Sequence, residues 1–396
     1  MSQRAPGSAR PAYAGKAAVT GVGYTKLAVS GEPRSVLDLA LEAARAALAD
    51  AGLTAADVDG VCSYGLFNDS VTSQAVGTGL ACNDLSFVLD LNNGGSQPAF
   101  AVLNAAMAVA SGVASTVIVY RALNGRSGKK VGSTHFDSPS GQFRYPIGLN
   151  SYPQYIAMWS RRFMIETGAT SEDLAAVVMK QREYSALNDR AVRRDPLSLD
   201  EYFSRSYVVE PFRTVDCTVE VDGAVALVVT SVDRAADAPV TPAIIEGGAW
   251  VTGRGSGLDI ADLHSWPDFS RNCQHLLAPR LWKSAGLGPT DVDVAEIYDC
   301  FSPAVLYGLE ALGFAERGEA GDLIRSGETG LTGRIPTNTH GGLLNEGYVH
   351  GMNTVTEAVL QVQGRGERRQ VKDAEVSVAT SGVLVDGSAI VFRKGN

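Results

Sequence analysis

Two kinds of segment alternate along the chain. Short runs of apolar residues predict strands, and segments with apolar residues on one helical face predict helices. Residues 18–25, AVTGVGYT, form a short apolar run that ends in a glycine turn, which is typical of a buried strand. The segment SVLDLALEAARAALADAGL carries its apolar residues on one helical face. Ser35 and Asp38 at its start resemble a capping box, and Gly52 marks its end.

The stretch 99–120 is apolar enough to resemble a membrane span, because it has no charge over about the required length. It is nevertheless rich in Ala and Ser, and its character changes at Gly112. We interpret it as a buried helix to about residue 111, followed by a β-branched buried strand. No membrane span is therefore predicted.

The chain repeats itself. AGLTAADVD at 51–59 and AGLGPTDVD at 285–293 agree at six of nine positions. A glycine pair followed by a helix-like run also occurs twice, at 92–112 and at 338–364. Two repeats in the same order indicate a duplicated α/β half. Alternating strands and helices predict mostly parallel sheets covered by helices.

The duplication divides the chain into a flexible tail, two halves and an insertion. We predict a tail at 1–15, an N-terminal half at 16–235 and a C-terminal half at 236–396. The N-terminal half contains an insertion at about 121–206. The first part of the insertion, 121–165, is rich in aromatic residues, Gly and Pro, which favours long loops.

Charge and cysteine content exclude some classes of protein. The net charge of −9 argues against nucleic acid as a partner. The five cysteines form no CxxC pair, so the sequence indicates neither a disulfide framework nor a zinc site. The N-terminus lacks the apolar core of a signal peptide, and the expected compartment is the cytoplasm.

Three phrases resemble the thiolase family. AEIYDCFSPAVLYGLEALGF at 295–314 is similar to the corresponding segment of the sterol-carrier-protein type of thiolase. NTHGGLLNEGYVHG at 338–351 is similar to the thiolase loop Asn-x-x-Gly-Gly-x-x-x-x-Gly-His-Pro. DCTVEVDGAVALVV at 216–229 resembles the junction between thiolase halves. The resemblance implies an α/β thiolase fold with duplicated halves in a five-layered αβαβα arrangement, usually dimeric.

The chain departs from that family at its catalytic positions. The nucleophilic cysteine of a thiolase falls on Gly95, and the second cysteine falls on about Ser381. The general-base histidine falls on Tyr348, and the histidine or asparagine of the fourth motif falls on Tyr298. Acyl transfer through a thioester intermediate needs an activated thiol, so this chemistry is not expected here.

Two tyrosines at catalytic positions resemble the thiolase-like aldolases of bacterial steroid side-chain degradation. The resemblance implies retro-aldol cleavage of a 17-hydroxy steroid C20-carboxyl-CoA thioester to a 17-keto steroid and propionyl-CoA. Such a step needs two acid/base groups and an oxyanion hole, and it needs no covalent intermediate. We favour Tyr348 as the base, with Tyr298 protonating or stabilising the enolate; the reverse assignment stays open. CoA is part of the substrate and product, so no separate cofactor is expected.

Further residues are candidates for supporting roles. His340, His350, Asp299 and Cys300 lie close in sequence to the tyrosines, and one of them could shift a phenol pKa. The candidate oxyanion donors are the amides around Gly341, Gly342 and Gly382. The candidate acyl-site residues are Phe136, Phe143, Tyr145 and Tyr152. No metal site is expected, because the histidines lack ligand spacing.

The sequence is also compatible with two other functions. One is a non-catalytic acyl-CoA or lipid-binding subunit derived from a thiolase. The other is an ordinary thiolase that uses a displaced cysteine such as Cys62 or Cys300. The resemblance also implies a homodimer and a complex with the OB-fold domain of an acyl-CoA hydratase subunit.

Overall fold

The computed structural model describes residues 10–31, 33–66, 68–128, 140–252 and 262–395. The strands are β1 (Ala17–Tyr24), β2 (Gly60–Gly65), β3 (Phe87–Asn92), β4 (Thr116–Asn124), β5 (Tyr207–Val209), β6 (Phe212–Arg213), β7 (Asp222–Ser231), β8 (Ala243–Thr252), β9 (Val294–Glu296), β10 (Val376–Ser381) and β11 (Asp386–Lys394). The helices are α1 (Val36–Asp50), α2 (Ser73–Leu80), α3 (Pro98–Ala110), α4 (Gly141–Arg144), α5 (Tyr152–Thr167), α6 (Ser171–Ala186), α7 (Leu199–Ser204), α8 (Val232–Ala235), α9 (Gln274–Ala285), α10 (Pro303–Ala311), α11 (Ala320–Arg325), α12 (Gly342–Asn345) and α13 (Met352–Val362).

Nine of these strands form one sheet in the order β3-β2-β4-β7-β1-β8-β11-β10-β9. Read outward from the β1–β8 junction, β1-β7-β4-β2 and β8-β11-β10-β9 both pair antiparallel, antiparallel and then parallel. A parallel bridge from Ala295 to Thr337 occupies the place that β3 holds in the first half. The repeated order confirms the predicted duplication.

The prediction of mostly parallel sheets is wrong. Among the described residues, only β2–β3, β2–β4 and β9–β10 pair in parallel in this sheet, and its other strand pairs are antiparallel. β7 returns antiparallel to β4 after the long insertion, and β10 and β11 form a hairpin. Periodicity in the sequence indicates that strands are present but carries no information on their direction.

Helices separate and cover the two halves of the sheet. α3 packs against β2, β4 and β7 on one side and against β8, β10 and β11 on the other, and α13 also contacts strands of both halves. α1 covers the outer face of the first half, and α9 covers that of the second. This gives the αβαβα layering. None of the helices in the described residues is long and apolar enough to cross a membrane.

The segment 99–120 forms α3 and β4, as predicted. Along β4, Val117 and Val119 enter the central core with α3 and α13, whereas Ile118 and Tyr120 enter the outer core beneath α1. Such alternation buries a strand on both faces. The apolar character of the whole strand therefore follows from its place between two layers of helices.

The glycines of AVTGVGYT have a different role from the one predicted. Gly21 and Gly23 lie inside β1 rather than in a turn after it. A Cβ on either would fall well under 3.0 Å from α1, next to the carbonyl oxygens of Ala47 and Ala43 respectively. The two glycines therefore let α1 pack directly on the strand.

The insertion contains more regular structure than predicted. Its residues Tyr152–Thr167 form α5, which is followed by the C-cap Gly168 in the left-handed region (φ 76°). Trp159 and Phe163 of α5 are fully buried, and both rings pack edge-on against Tyr307 of α10. The insertion thus covers the C-terminal half and brings the first turn of α5 to the functional site.

Candidate active site

Tyr298 and Tyr348 meet in the structure, although fifty residues separate them. The two phenol oxygens are 2.7 Å apart and share a hydrogen bond. Tyr298 follows β9, and its amide donates to Thr380 Oγ1 of β10. Tyr348 lies just before α13, and its amide donates to the carbonyl of Val219. Hydrogen bonds to residues of both halves therefore fix the pair.

Two glycines make room for the side chain of Tyr298. A Cβ on Gly95 would fall well under 3.0 Å from the Tyr298 phenol oxygen, and a Cβ on Gly351 would collide with the Tyr298 ring. Gly95 is the position where the thiolase resemblance places the nucleophilic cysteine. The phenol oxygen thus occupies the space that a cysteine side chain would need.

Both phenols line a cavity of about 490 Å³. This volume is within the range of roughly 300–1,000 Å³ that is usual for small-molecule sites. Its apolar wall comprises Val29, Leu66, Ile156, Val208, Phe301, Val383 and Leu384. Its polar wall includes Asn93, Ser96, Arg126, Arg193, Thr218, Glu220, His350 and Asp386. The cavity can therefore take an apolar ligand that also carries a few polar groups.

Burial controls the protonation of the two tyrosines. It raises the pKa of Tyr298 well above the ordinary value of 10.0, and the nearby Tyr348 raises that pKa further. Burial likewise raises the pKa of Tyr348 well above 10.0, and the hydrogen bond with Tyr298 and the charge of Arg121 only partly offset this. Both phenols are therefore neutral near pH 7, and neither is a ready-made phenolate base.

His350 lines the same cavity and contacts Tyr348, with 5.2 Å between the ring centroids. Its Nδ1 lies 3.1 Å from a guanidinium nitrogen of Arg121, which also forms a buried ion pair with Asp69. Tyr64 donates to the His350 carbonyl at 3.0 Å. Burial, together with the charge of Arg121, lowers the pKa of His350 to about 3, so its ring is neutral.

His340 and Asp299 lie behind the site rather than in its wall. His340 Nδ1 is 2.9 Å from Glu296, whose hydrogen bond and charge outweigh the effect of burial and raise the His340 pKa to about 9. Asp299 accepts from the amides of Leu343 and Leu344 at the start of α12. Burial raises the pKa of Asp299 to about 7. The two residues hold the loop that carries Tyr348, and no hydrogen bond joins either of them to a phenol within the described residues.

Of the three glycines predicted to supply oxyanion donors, only Gly382 lines the cavity. Gly341 lies against Ser185, and Gly342 lies against Asp299 and Gln181. Both have positive φ and shape the turn at the start of α12. Gly341 and Gly342 therefore do not face this cavity, and a role of the amides around them as oxyanion donors stays a prediction.

The cysteines are poorly suited to nucleophilic attack. Cys300 and Cys217 line the cavity, and Cys62 is fully buried beneath α3. Burial raises the pKa of each of the three thiols. A buried neutral thiol is a weak nucleophile. Ser381, at the predicted second cysteine position, accepts from the Ala99 amide at the start of α3.

The acyl wall matches the predicted residues only in part. Tyr152 lines the cavity, together with Pro153 and Ile156 of α5. Phe143 and Tyr145 do not line it, and their exposed fractions are 74% and 44%. Phe136 lies outside the described residues.

The cavity wall also contains a polar cluster that the sequence did not predict. Asp386 accepts hydrogen bonds from Asn93 and from Ser96, the latter at 3.2 Å. Asn93 precedes the glycine pair of the first half, and Asp386 begins β11 after the short turn at 382–385. An acidic residue at the start of an apolar strand was the available signal in the sequence.

The fold and the cavity define a class: a duplicated αβαβα protein whose site lies at the N-terminal end of the central helix α3. Residues 255–394 match the family model described as thiolase C-terminal domain-like. A steroid side-chain-cleaving aldolase of Thermomonospora curvata is 39% identical over 393 residues, covering 96% of this chain and 98% of the relative. The 17-hydroxy-3-oxo-4-pregnene-20-carboxyl-CoA lyase of Mycobacterium tuberculosis is also 39% identical, covering 96% and 99%.

Solved structures agree with these matches. The Ltp2-ChsH2(DUF35) aldolase has a TM-score of 0.91 and 38% identity, covering 97% of this chain and 99% of that one. Human mitochondrial 3-ketoacyl-CoA thiolase, at a TM-score of 0.69 and 18% identity, shares the fold. The chain belongs to the thiolase superfamily, in the branch that contains the steroid side-chain-cleaving aldolases.

Proposed function

We propose that this chain cleaves a 17-hydroxy steroid C20-carboxyl-CoA thioester to a 17-keto steroid and propionyl-CoA, as a carbon–carbon lyase. The names of its 39% identical relatives support this substrate class. The observation that carries the proposal is the 2.7 Å hydrogen bond between Tyr298 and Tyr348. The Tyr298 phenol lies where a thiolase would have its nucleophilic cysteine, and this chain has Gly95 at that position. No free CoA and no covalent intermediate are needed.

The reaction balances without an external proton. The β-hydroxyl loses its proton and becomes a ketone, while the electron pair of the broken C–C bond forms the enolate of the acyl-CoA. The enolate carbon then takes up one proton. One proton thus leaves an oxygen and one arrives at a carbon, which two hydrogen-bonded hydroxyl groups can accomplish.

The two tyrosines form this relay. Tyr348 accepts the substrate hydroxyl proton while its own proton passes to Tyr298, and Tyr298 protonates the enolate. Because burial raises both phenol pKa values, concerted transfer is favoured over a free phenolate. The Gly382 amide is an oxyanion donor for the thioester oxygen, and the α5 residues contact the steroid.

A partner subunit belongs to the same proposal. The related Ltp2 aldolase was solved with a ChsH2 DUF35 domain, and we extend such an assembly to this chain. The partner is the OB-fold domain of an acyl-CoA hydratase subunit, which would deliver the hydroxylated intermediate. A homodimer is also part of the proposal, since β3 is an edge strand whose Val88 is 45% exposed.

Mass spectrometry of the purified chain, alone and with the DUF35-type domain, tests the function. The substrate is a tertiary β-hydroxy steroid acyl-CoA, supplied without free CoA. We expect the 17-ketone and propionyl-CoA in equal amounts. Bound but uncleaved substrate in both preparations would favour the non-catalytic binding subunit, and cleavage only on addition of free CoA would favour thiolysis.

A further inference from the structure

His350 differs from an ordinary core residue in its backbone conformation and in its contacts. It is 2% exposed, and its φ of 54° lies in the left-handed region, which non-glycine residues seldom adopt. Residues held in such conformations cluster at functional sites. Gly347 and Gly351 flank the segment, also with positive φ. The chain therefore bends sharply to direct this side chain.

The contact with Arg121 fixes the tautomer of His350. A guanidinium group only donates hydrogen bonds, so the Nδ1 that lies 3.1 Å from Arg121 must be the acceptor. The neutral ring then carries its proton on Nε2. Asp69 holds Arg121 through a buried ion pair in which the two side chains are 5% and 0% exposed.

The Nε2 atom lies beside Gly94, the first residue of the glycine pair that also makes room for Tyr298. A Cβ on Gly94 would lie within 3.0 Å of both Cε1 and Nε2, just as the neighbouring Gly95 leaves room for the Tyr298 phenol. Among the described residues no protein atom hydrogen-bonds His350 Nε2, and the atom is open to the cavity rather than enclosed. It is thus an unused donor beside Gly94, and the next residue, Gly95, adjoins Tyr298.

We propose that His350 Nε2–H donates a hydrogen bond to the thioester oxygen as the enolate forms, and that Asp69 and Arg121 are positioning residues that set its tautomer. This inference rests on the proposed function. His350 is then a catalytic residue beyond the two tyrosines. Arg121 acts only through it, by excluding the tautomer that would present a lone pair to the oxygen.

A purely structural role makes different demands on the residues. A buried Asp69–Arg121 pair could stabilise β4 without His350, and any polar side chain could accept from Arg121. Such a role gives no reason for an N–H in the cavity wall that, within the described residues, no protein atom accepts. An oxyanion that forms during the reaction is the partner that an N–H donor fits.

Two variants of His350 test whether its Nε2–H donor is needed for cleavage. His350→Leu removes it, whereas His350→Gln keeps an N–H near the Nε2 position, and both place a non-glycine residue in the same backbone conformation. We expect kcat for cleavage to fall about 100-fold in His350→Leu, as for loss of an oxyanion donor, with KM little changed. His350→Gln should retain at least about a tenth of wild-type kcat, because one donor is restored. His275→Gln, at a histidine outside the cavity lining, serves as the matched control.

Asp69 and Arg121 must be replaced together, because replacing one of them would leave the other as an unpaired buried charge. The double change Asp69→Asn with Arg121→Met neutralises both partners and avoids that cost. In the wild type, ¹⁵N spectra of labelled histidine should show the His350 Nε2 protonated and Nδ1 bare. In the double variant the two tautomers should mix, because no obligate donor faces Nδ1 any longer.

The same double variant should change the pH dependence of cleavage. The charged groups that face the His350 ring are Arg121 and Asp69, and the titratable phenols beside it are Tyr64 and Tyr348. The ring then loses the cation that opposes its protonation and also the weaker favourable charge of Asp69, so its pKa should rise. The kcat profile should then fall off on the acidic side at a higher pH than in the wild type.

An assay on the product separates the possible failures. Wild-type enzyme should exchange the α-protons of propionyl-CoA with deuterium, which requires the enolate but no steroid. Active wild type with unchanged cleavage and exchange in His350→Leu would overturn the His350 assignment and leave the aldolase function intact. A wild-type spectrum with Nδ1 protonated would also overturn it. A wild type that neither cleaves nor exchanges would refute the proposed function itself.

Discussion

The phenol oxygen of Tyr298 fills the space in front of Gly95, so that the two positions depend on each other. A Cβ on Gly95 would lie under 3.0 Å from that oxygen, and Gly95 is the position of the missing thiolase nucleophile. The Tyr298 phenol therefore needs the space that a cysteine at position 95 would occupy, so the loss of the thiol and the gain of the tyrosine go together. The same space cannot hold both a cysteine side chain and this phenol.

This relationship predicts a strong coupling between the two residues. Gly95→Ala should destabilise the protein by about 1–3 kcal/mol, the usual cost of an overpacked core. In a Tyr298→Ala background the same change should cost almost nothing, because the collision is gone. Urea unfolding of the four proteins in this double-mutant cycle measures the coupling. Equal costs in both backgrounds would mean that Tyr298 is not the group that meets residue 95.

The tyrosine relay predicts that the two phenols act as a unit. Tyr298→Phe and Tyr348→Phe should each lower kcat by about 10²–10⁴, the range for a lost acid/base group. The double variant should be hardly worse than the less active single variant, since one missing hydroxyl already breaks the relay. Steady-state cleavage assays give these values. Tyr307→Phe is the control, because Tyr307 is buried away from the cavity and accepts from the Asn272 amide.

Neutral phenols also predict the pH dependence of cleavage. Because the pKa of both tyrosines is raised above 10.0 and that of His350 is lowered to about 3, none of these groups titrates between about pH 6.5 and 9. The logarithm of kcat should therefore be level across this range. A base that works as a phenolate would instead give a rise of about tenfold per pH unit. The measurement needs saturating substrate at each pH.

The sequence predicted the tyrosine pair because both residues lie in phrases with a fixed register against the thiolase family. It could not predict the contact of His350 with Arg121, which is 229 residues away in a strand that reads as plain core. It also could not show that the turn at Gly341 and Gly342 faces the buried network. Strand direction and the facing of a turn depend on contacts between the two halves, which local patterns do not contain.

The cysteine hypothesis makes the opposite prediction from the relay. Cys300→Ala and Cys217→Ala should retain cleavage within about fivefold, since burial keeps both groups as neutral thiols with no role in proton transfer. Product formation without free CoA should also persist. A loss of about 10² or more, together with an acylated Cys300 peptide in the mass spectrum, would support a displaced nucleophile.

The buried His340–Glu296 pair predicts a loss of stability in mild alkali. The folded pKa of His340 is raised to about 9, above the value of 6.5 in the unfolded chain, so the folded state binds more protons between these values. Its stabilising effect is therefore complete below pH 6.5 and disappears as the pH rises toward 9. From about pH 6.5 to 8 the free energy of unfolding should fall by about 1.5 kcal/mol more in the wild type than in His340→Gln. Urea titrations at the two pH values measure this difference, and parallel behaviour of the two proteins would show that His340 is neutral in the fold.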